Sequence, residues 1–391
     1  MQVIPPDRSV TGLQIFATMS IDVSLSFSLL YHKGSGFMMD EFIKHINIWQ
    51  FQEDLLTWYD KNKRELPWRE DSDPYKVWVS EIMLQQTKVD TVIPYFERFI
   101  RKFPSPYELA AASQEEVLKM WEGLGYYSRA KNLHEAVKEV VEKYDGNVPD
   151  DAEKLGTLKG VGPYTKGAIL SIAFNKPEPA IDGNVLRVFS RLFKVEDDIS
   201  KGPVKKRIES YVKELISEED PSSFNQAIMD LGATICTPKS PQCLLCPVNK
   251  HCLGFEEGVQ EQLPVKKKAK KQKTVSYVAL IMKEKDRVII EKRPSEGLLA
   301  DLWQFPMVPI EEVGMNHIEH WFYGEYGVEI HLQEKLGNIR HVFSHLIWDI
   351  DVYEAKIIQN ENNDTRIRMV KTDSIDDFPF PVSHQKMKAW I

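Results

Sequence analysis

Four cysteines, Cys236, Cys243, Cys246 and Cys252, stand within one short segment and are the only cysteines in the chain. Their order is C-x6-C-x2-C-x5-C. Four thiolates on one looped segment can converge on a single metal centre, whereas a disulfide-stapled scaffold spreads its cysteines along the chain. Pro238, Pro241 and Pro247 forbid a continuous helix there, so the segment must wrap. Structural zinc usually pairs two C-x2-C-like knuckles across a longer gap, and only one is present. The spacing therefore favours a 4Fe-4S cluster, with zinc as the alternative.

A second constellation lies upstream. In Leu158-Lys159-Gly160-Val161-Gly162-Pro163-Tyr164-Thr165, Gly160 and Gly162 separate two helical stretches. Such glycines allow a tight hairpin with exposed backbone amides, and the next helix presents its positive end, an arrangement that holds a DNA phosphate. A plain helix-helix turn would use the same residues. Further on, Pro179-Ala180-Ile181-Asp182-Gly183-Asn184-Val185 brings a loop to a helix start. On position alone Asp182 reads as an N-cap, the commonest job for an aspartate at such a helix start.

Helices must position these groups. From about 48 to 254 apolar residues recur at three-to-four spacing, as in Ile93, Phe96, Phe99 and Ile100 and in Val185, Leu186, Val188, Phe189 and Leu192. Frequent Pro and Gly divide the stretch into many short helices. From about 275 the texture becomes β-branched and alternating, in Thr274–Ile281, Val288–Lys292 and Leu346–Tyr353, with a helix near Asn316–Tyr326. Between the halves, Leu263–Lys273 holds six lysines and one proline. Like charges keep such a stretch extended, so 255–274 reads as a linker. Residues 1–39 carry little charge and no sustained period, and read as a disordered extension with Met38 or Met39 as a start.

The chain has 391 residues, 58 acids against 50 bases and a net charge of −8. Two or three domains fit that length. No run of 18 apolar residues occurs, which excludes a membrane-spanning helix. The acidity disfavours bulk attraction to a polyanion. Contact with nucleic acid would rest on placed amides and a few cations such as Lys239, Lys250 and His251, with a modest salt dependence.

The hairpin, the distal aspartate and the four cysteines, taken in order, resemble the helix-hairpin-helix DNA glycosylase superfamily. Within it, Leu66-Pro67-Trp68-Arg69, the run Asp73–Thr87 containing Trp78-Val79-Ser80-Glu81-Ile82-Met83-Leu84-Gln85-Gln86-Thr87, and Gly123-Leu124-Gly125-Tyr126-Tyr127-Ser128-Arg129-Ala130 resemble MutY-type adenine glycosylases. The resemblance implies an α+β multidomain chain. Residues 40–254 would form an all-α helix-hairpin-helix glycosylase region with an iron-sulfur loop, and 275–391 a Nudix/MutT-like α/β domain. The Nudix match rests on Arg293–Pro306.

Breaking an N-glycosidic bond in a duplex requires extruding the base, then two carboxyl groups in different states. The resemblance makes Glu81 the acid that protonates adenine N7, raised in pKa by burial, where the alternative is a solvated helix carboxylate. Asp182 becomes the ionised group facing the sugar cation, supported by Tyr164 and Asn184. Where bifunctional relatives carry a Schiff-base lysine, this chain has Tyr164, which cannot form an imine. Lys166 is about 200° further round the helix. Gln86 and Tyr126 match residues that wedge into the duplex, against readings as a surface amide and a core aromatic. Arg69 matches an adenine-pocket contact, an ion pair being its other chemistry. The stretch Ile318–Val328 lacks the R-E-x-x-E-E carboxylates of a working Nudix site. Arg340-His341-Val342-Phe343-Ser344-His345 resembles the loop that senses 8-oxoguanine, with Ser344 able to donate and accept and Phe343 and His345 supporting it. The implied partner is duplex DNA with A:8-oxoG or A:G pairs. A monomeric cytoplasmic enzyme, associated with the nucleoid in a bacterium, is expected. An endonuclease-III-like pyrimidine glycosylase/lyase and a non-enzymatic zinc protein that binds DNA are the rivals.

Overall fold

In the computed structural model residues 43–267, 272–362 and 364–391 are described. The 1–39 extension and positions 268–271 of the lysine-rich stretch lie outside them. The first half is helical: α1 (Ile48–Asn62), α2 (Pro74–Leu84), α3 (Val89–Lys102), α4 (Pro106–Ala111), α5 (Gln114–Trp121) and α6 (Ser128–Tyr144). Then come α7 (Ala152–Thr157), α8 (Pro163–Phe174), α9 (Gly183–Leu192), α10 (Gly202–Leu215), α11 (Pro221–Thr234) and α12 (Leu253–Glu256).

Local chemistry sets many of these starts. Asp73 accepts from Lys76 N with Pro74 at the first helical position, and Ser113 and Glu116 cap α5 reciprocally. α3 buries Val92, Phe96 and Phe99 on one face, and α9 buries Val185, Val188, Phe189 and Leu192, following the apolar spacing. α2 and α8 differ, because they are buried on nearly every side and pack against each other at the centre. Gly167 on α8 permits one further approach. A Cβ there would lie 2.1 Å from Pro179 O, so the loop leading to Asp182 crosses α8 at backbone distance.

The second half contains β1 (Lys273–Ile281), β2 (Lys283–Glu284), β3 (Arg287–Lys292), β4 (Trp303–Gln304), β5 (Met307–Pro309), α13 (Ile310–Val313) and α14 (Ile318–Tyr326). β6 (Val328–Val342), β7 (Leu346–Asn360), β8 (Ile367–Lys371) and α15 (Val382–Gln385) complete it. One sheet runs β5-β1-β7-β6, with β1 and β7 parallel, and the other runs β2-β3-β4 with β8 on β3. Alternate residues of β1 enter two cores, Ala279 and Ile281 on one face and Val278 and Leu280 on the other. β6 does not announce itself in the sequence, because three register shifts between Glu329 and Gly337 break its period of two.

The halves meet through specific contacts. Leu302 is buried in the helical core, Trp303 Nε1 donates to Glu115, and Asp301 receives Lys131 and Gln114. Phe380 N donates to Glu122 Oε1 at 2.8 Å. The start of the lysine-rich stretch is not extended. Leu263 is buried, its carbonyl accepts from Arg191 Nε at 3.0 Å, and Val265 O accepts from Ile199 N. These acceptors hold 263–265 against α9 and the loop that follows it before the lysines begin. No helix among the described residues is long and apolar enough to cross a membrane.

Candidate active site

α2 carries Glu81 into the centre of the helical region, where the residue is only 4% exposed, which removes the solvated-carboxylate alternative. Burial pushes its pKa up to about 7; the hydrogen bond from Tyr164 opposes this, the Asp182 charge adds to it, and Arg69 opposes it. Tyr164 projects from the first turn of α8 and donates its hydroxyl to Glu81 Oε2. That helix starts at Gly162 with Pro163 in its first turn. Gly160 adopts φ +81°, the left-handed region that only glycine enters freely, and a Cβ would lie 2.8 Å from Asn132 Cβ.

Asp182 faces the same cavity from the start of α9. Its Oδ1 accepts from Val185 N at 2.7 Å and its Oδ2 from Asn184 Nδ2 at 2.7 Å. The capping role and the cavity position are therefore compatible. Burial raises its pKa, and the bonds from Val185 and Asn184, with the charge of Arg187, restrain that rise. Asn184 Oδ1 in turn accepts from Arg187 Nη2 at 2.8 Å, and Arg187 Nε donates to Cys236 O at 2.8 Å. Only glycine fits at 232, where a Cβ would lie 2.6 Å from Asn184 Cβ.

Glu81, Tyr164, Asp182, Asn184, Arg69, Gln86, Gly160 and Gly162 line one cavity of about 610 Å³. Lys166 does not line it, and its Cδ lies against Gly156 of α7. Arg69 makes the ion pair. Its Nη1 and Nη2 bind the two oxygens of buried Asp230 at 2.8 and 3.0 Å, while Arg64 Nε donates to Oδ1 at 2.9 Å. Asp230 and Arg187 were not anticipated. Arg187 had a signal, since it stands three residues from Asn184 on one helix face. Asp230 had none, because its partners lie more than 160 residues away.

Tyr126 lines a second cleft of about 900 Å³ together with Phe343, Ser344 and His345. It is exposed, and its neighbour Tyr127 is the core aromatic instead. Ser344 and His345 lie exposed in the turn between β6 and β7, while Phe343 packs edge-on against Trp348 at 4.9 Å. The four cysteines border a third, apolar cavity beneath α9, and Arg191 Nη1 donates to Cys236 Sγ at 3.2 Å. Among the described residues no three Cys, His, Asp or Glu side chains converge on a single-ion site.

Residues 79–214 match the family model for HhH-GPD superfamily base excision DNA repair proteins, and 277–390 match that for the NUDIX domain. An adenine DNA glycosylase of Rattus norvegicus is 36% identical, covering 78% of this chain and 70% of its own. One from Buchnera aphidicola (subsp. Acyrthosiphon pisum) is 34% identical, covering 77% and 85%. A solved thermostable thymine-DNA glycosylase, 28% identical with a TM-score of 0.49, covers 54% of this chain and 97% of that one.

Proposed function

Since the chain belongs to the adenine DNA glycosylases of the HhH-GPD superfamily, we propose that it excises adenine lying opposite 8-oxoguanine, or guanine, in duplex DNA, hydrolysing the N-glycosidic bond without cutting the strand. The observation that carries this reading is the pair of carboxyls set apart in one cavity. Burial raises both pKa values, that of Glu81 to about 7, but the Asp182 carboxylate also accepts from Val185 N and Asn184 Nδ2, which favours its ionised form. That difference in hydrogen bonding supports Glu81 as the acid and Asp182 as the anion. The flipped adenine receives the Glu81 proton at N7 as its bond to C1′ breaks, and the Asp182 carboxylate faces the sugar cation until water adds at C1′ and gives up a proton to the Glu81 carboxylate. Tyr164, bound to Oε2, leaves Oε1 to carry the proton. The exposed amides at Gly160 and Gly162 receive a phosphate. Excision belongs to 40–254 and lesion recognition to 275–391. In α14, Glu319 Oε1 accepts from Leu332 N at 2.8 Å and Glu325 pairs with Arg366, on a helix without the R-E-x-x-E-E carboxylates of a working Nudix site.

Cys236, Cys243, Cys246 and Cys252 would hold a 4Fe-4S cluster, which when bound supplies covalent links bracing the loop under α9. The C-x6-C-x2-C-x5-C spacing and the apolar cavity that all four cysteines border support this reading over zinc.

With A:8-oxoG duplex in single turnover, strand breaks are expected only after alkali. Breaks without alkali, or a borohydride-trapped adduct on Lys166, would replace this reading by a lyase. Asp182→Asn keeps an efficient helix cap. It should retain duplex binding while excision slows at least ~100-fold, and lost binding would leave only the cap role. Ser344→Ala should cut the preference for A:8-oxoG over A:G several-fold, with the A:G rate as the internal standard.

A further inference from the structure

Gln86 and Tyr126 share an unusual backbone. Both adopt left-handed φ, +59° and +49°, at exposed turns that belong to different elements. A non-glycine residue holds that conformation at a cost of about 1 kcal/mol or more, and keeps it only where its surroundings enforce it. One side chain touches both turns. Arg129, nearly buried on the first turn of α6, donates from Nη1 to Ile82 O at 2.7 Å, Met83 O at 2.9 Å and Gln85 O at 2.5 Å. Its Nη2 donates to Thr87 Oγ1 at 3.2 Å and to Gly125 O at 3.1 Å. The guanidinium carbon also lies 5.5 Å from the centroid of the Tyr126 ring. The residues that flank Gln86 and the one that precedes Tyr126 are thus bound by a single guanidinium.

The charge has an unusual reception. No carboxylate pairs with Arg129 among the described residues, and its partners there are neutral oxygens and aromatic faces. The carbonyls of Ile82 and Met83 belong to the last turn of α2, where unpaired C=O groups and the negative end of the helix dipole accept a cation. Burial lowers the Arg129 pKa to about 10, which leaves it charged at neutral pH.

We propose that Arg129 is a positioning residue that fixes the Gln86 and Tyr126 turns against each other, so that both side chains enter the duplex together when the adenine is extruded. This rests on the reading of Gln86 and Tyr126 as wedges. Extrusion costs a few kcal/mol of unstacking, and the space left behind must be filled at once. Two turns hinged independently would enter at different times. A shared planar fork, which lysine cannot reproduce, removes that freedom.

Arg129→Lys tests this with 2-aminopurine at the target position, whose fluorescence rises on unstacking. The rise on binding is expected to fall by half or more and the single-turnover rate on adenine at least tenfold. The pH at which the rate breaks should stay at the wild-type value. In a Gln86→Ala/Tyr126→Ala background the same change should alter the rate less than twofold, because the wedges it acts through are gone. A full tenfold loss there, or a shifted pH break, overturns the proposal in favour of an effect through α2 and Glu81. If the double-alanine protein alone flips the base as well as wild type, the wedge reading has failed and Arg129 loses this role with it. Should Arg129→Lys not fold, Thr87→Val removes one acceptor at the Gln86 turn. It should reduce the fluorescence rise in the wild-type background and leave it unchanged in the double-alanine one; a wild-type rise in Thr87→Val alone overturns the proposal.

Discussion

Glu81→Gln is expected to slow adenine release at least ~1000-fold while making the folded protein more stable above neutral pH. Both effects come from one carboxyl. In the fold, burial holds its pKa at about 7, whereas an unfolded chain titrates it near the ordinary value of 4.5. Between those values the native state binds more protons than the unfolded one. Stability therefore falls as pH rises from the lower value through the upper, and above pH 7 the full penalty of about 3 kcal/mol applies. Glutamine keeps the shape and still accepts the Tyr164 hydroxyl, but never ionises. Thermal melts should show the variant several degrees above wild type at pH 8 and level with it below about pH 4. Wild-type excision should decline about tenfold per pH unit above 7, as the acid loses its proton. Equal melting at both pH values, or excision preserved in the variant, would remove Glu81 from this role.

Asp230→Ala should destabilise the helical region by about 3–5 kcal/mol, the usual consequence of stranding buried charge. The Asp230 side chain is 1% exposed and answers two arginines, Arg64 and Arg69. Burial alone would raise its pKa, yet the hydrogen bonds and charges of Arg69 and Arg64 bring it below the ordinary carboxylate range. That contribution is complete above the ordinary carboxylate pKa and is lost as pH falls through the lower folded value. Removing the carboxylate leaves Arg69, itself 14% exposed, with only the Arg64 carbonyl at 3.2 Å as a hydrogen-bond partner at the cavity wall. Urea unfolding at pH 7.5 measures the loss, and a change below about 1 kcal/mol would show that water replaces the pair. Asp230→Asn, which retains an acceptor, should fall between.

Much of this was legible in local pattern. The apolar spacing in α3 and α9, the Asp73-Pro74 start of α2 and the β-branched runs of β1, β3 and β7 are short-range signals, and the structure follows them. The helix expected near Asn316–Tyr326 begins at Ile318, after a single tight turn at Met315–His317. What stayed hidden depends on distance along the chain. Asp230 reads as an ordinary helix aspartate until Arg64 and Arg69 arrive from the other end of the domain. Arg129 looks like a surface cation until α2 offers it carbonyls. Glu81 and Gln86 became candidates only through the family string, since nothing local distinguishes a buried acid from an exposed one. β6 was lost to its bulges, and 263–265 to the reasonable rule that lysines extend a chain.

The interior place of β1 also bears on how the protein is made. Every residue of the helical half has left the ribosome before β1 appears, so that half can pack its core during synthesis except where Leu302 later enters it. β1 emerges next but lies between β5 and β7, and its parallel partner β7 is translated only after β6. Until then a strand destined to be covered on both faces waits without its neighbour, and parallel pairing of distant segments is slow. The C-terminal sheet is therefore the stage of biogenesis most exposed to aggregation, and ribosomal pausing between β6 and β7 would prolong that exposure.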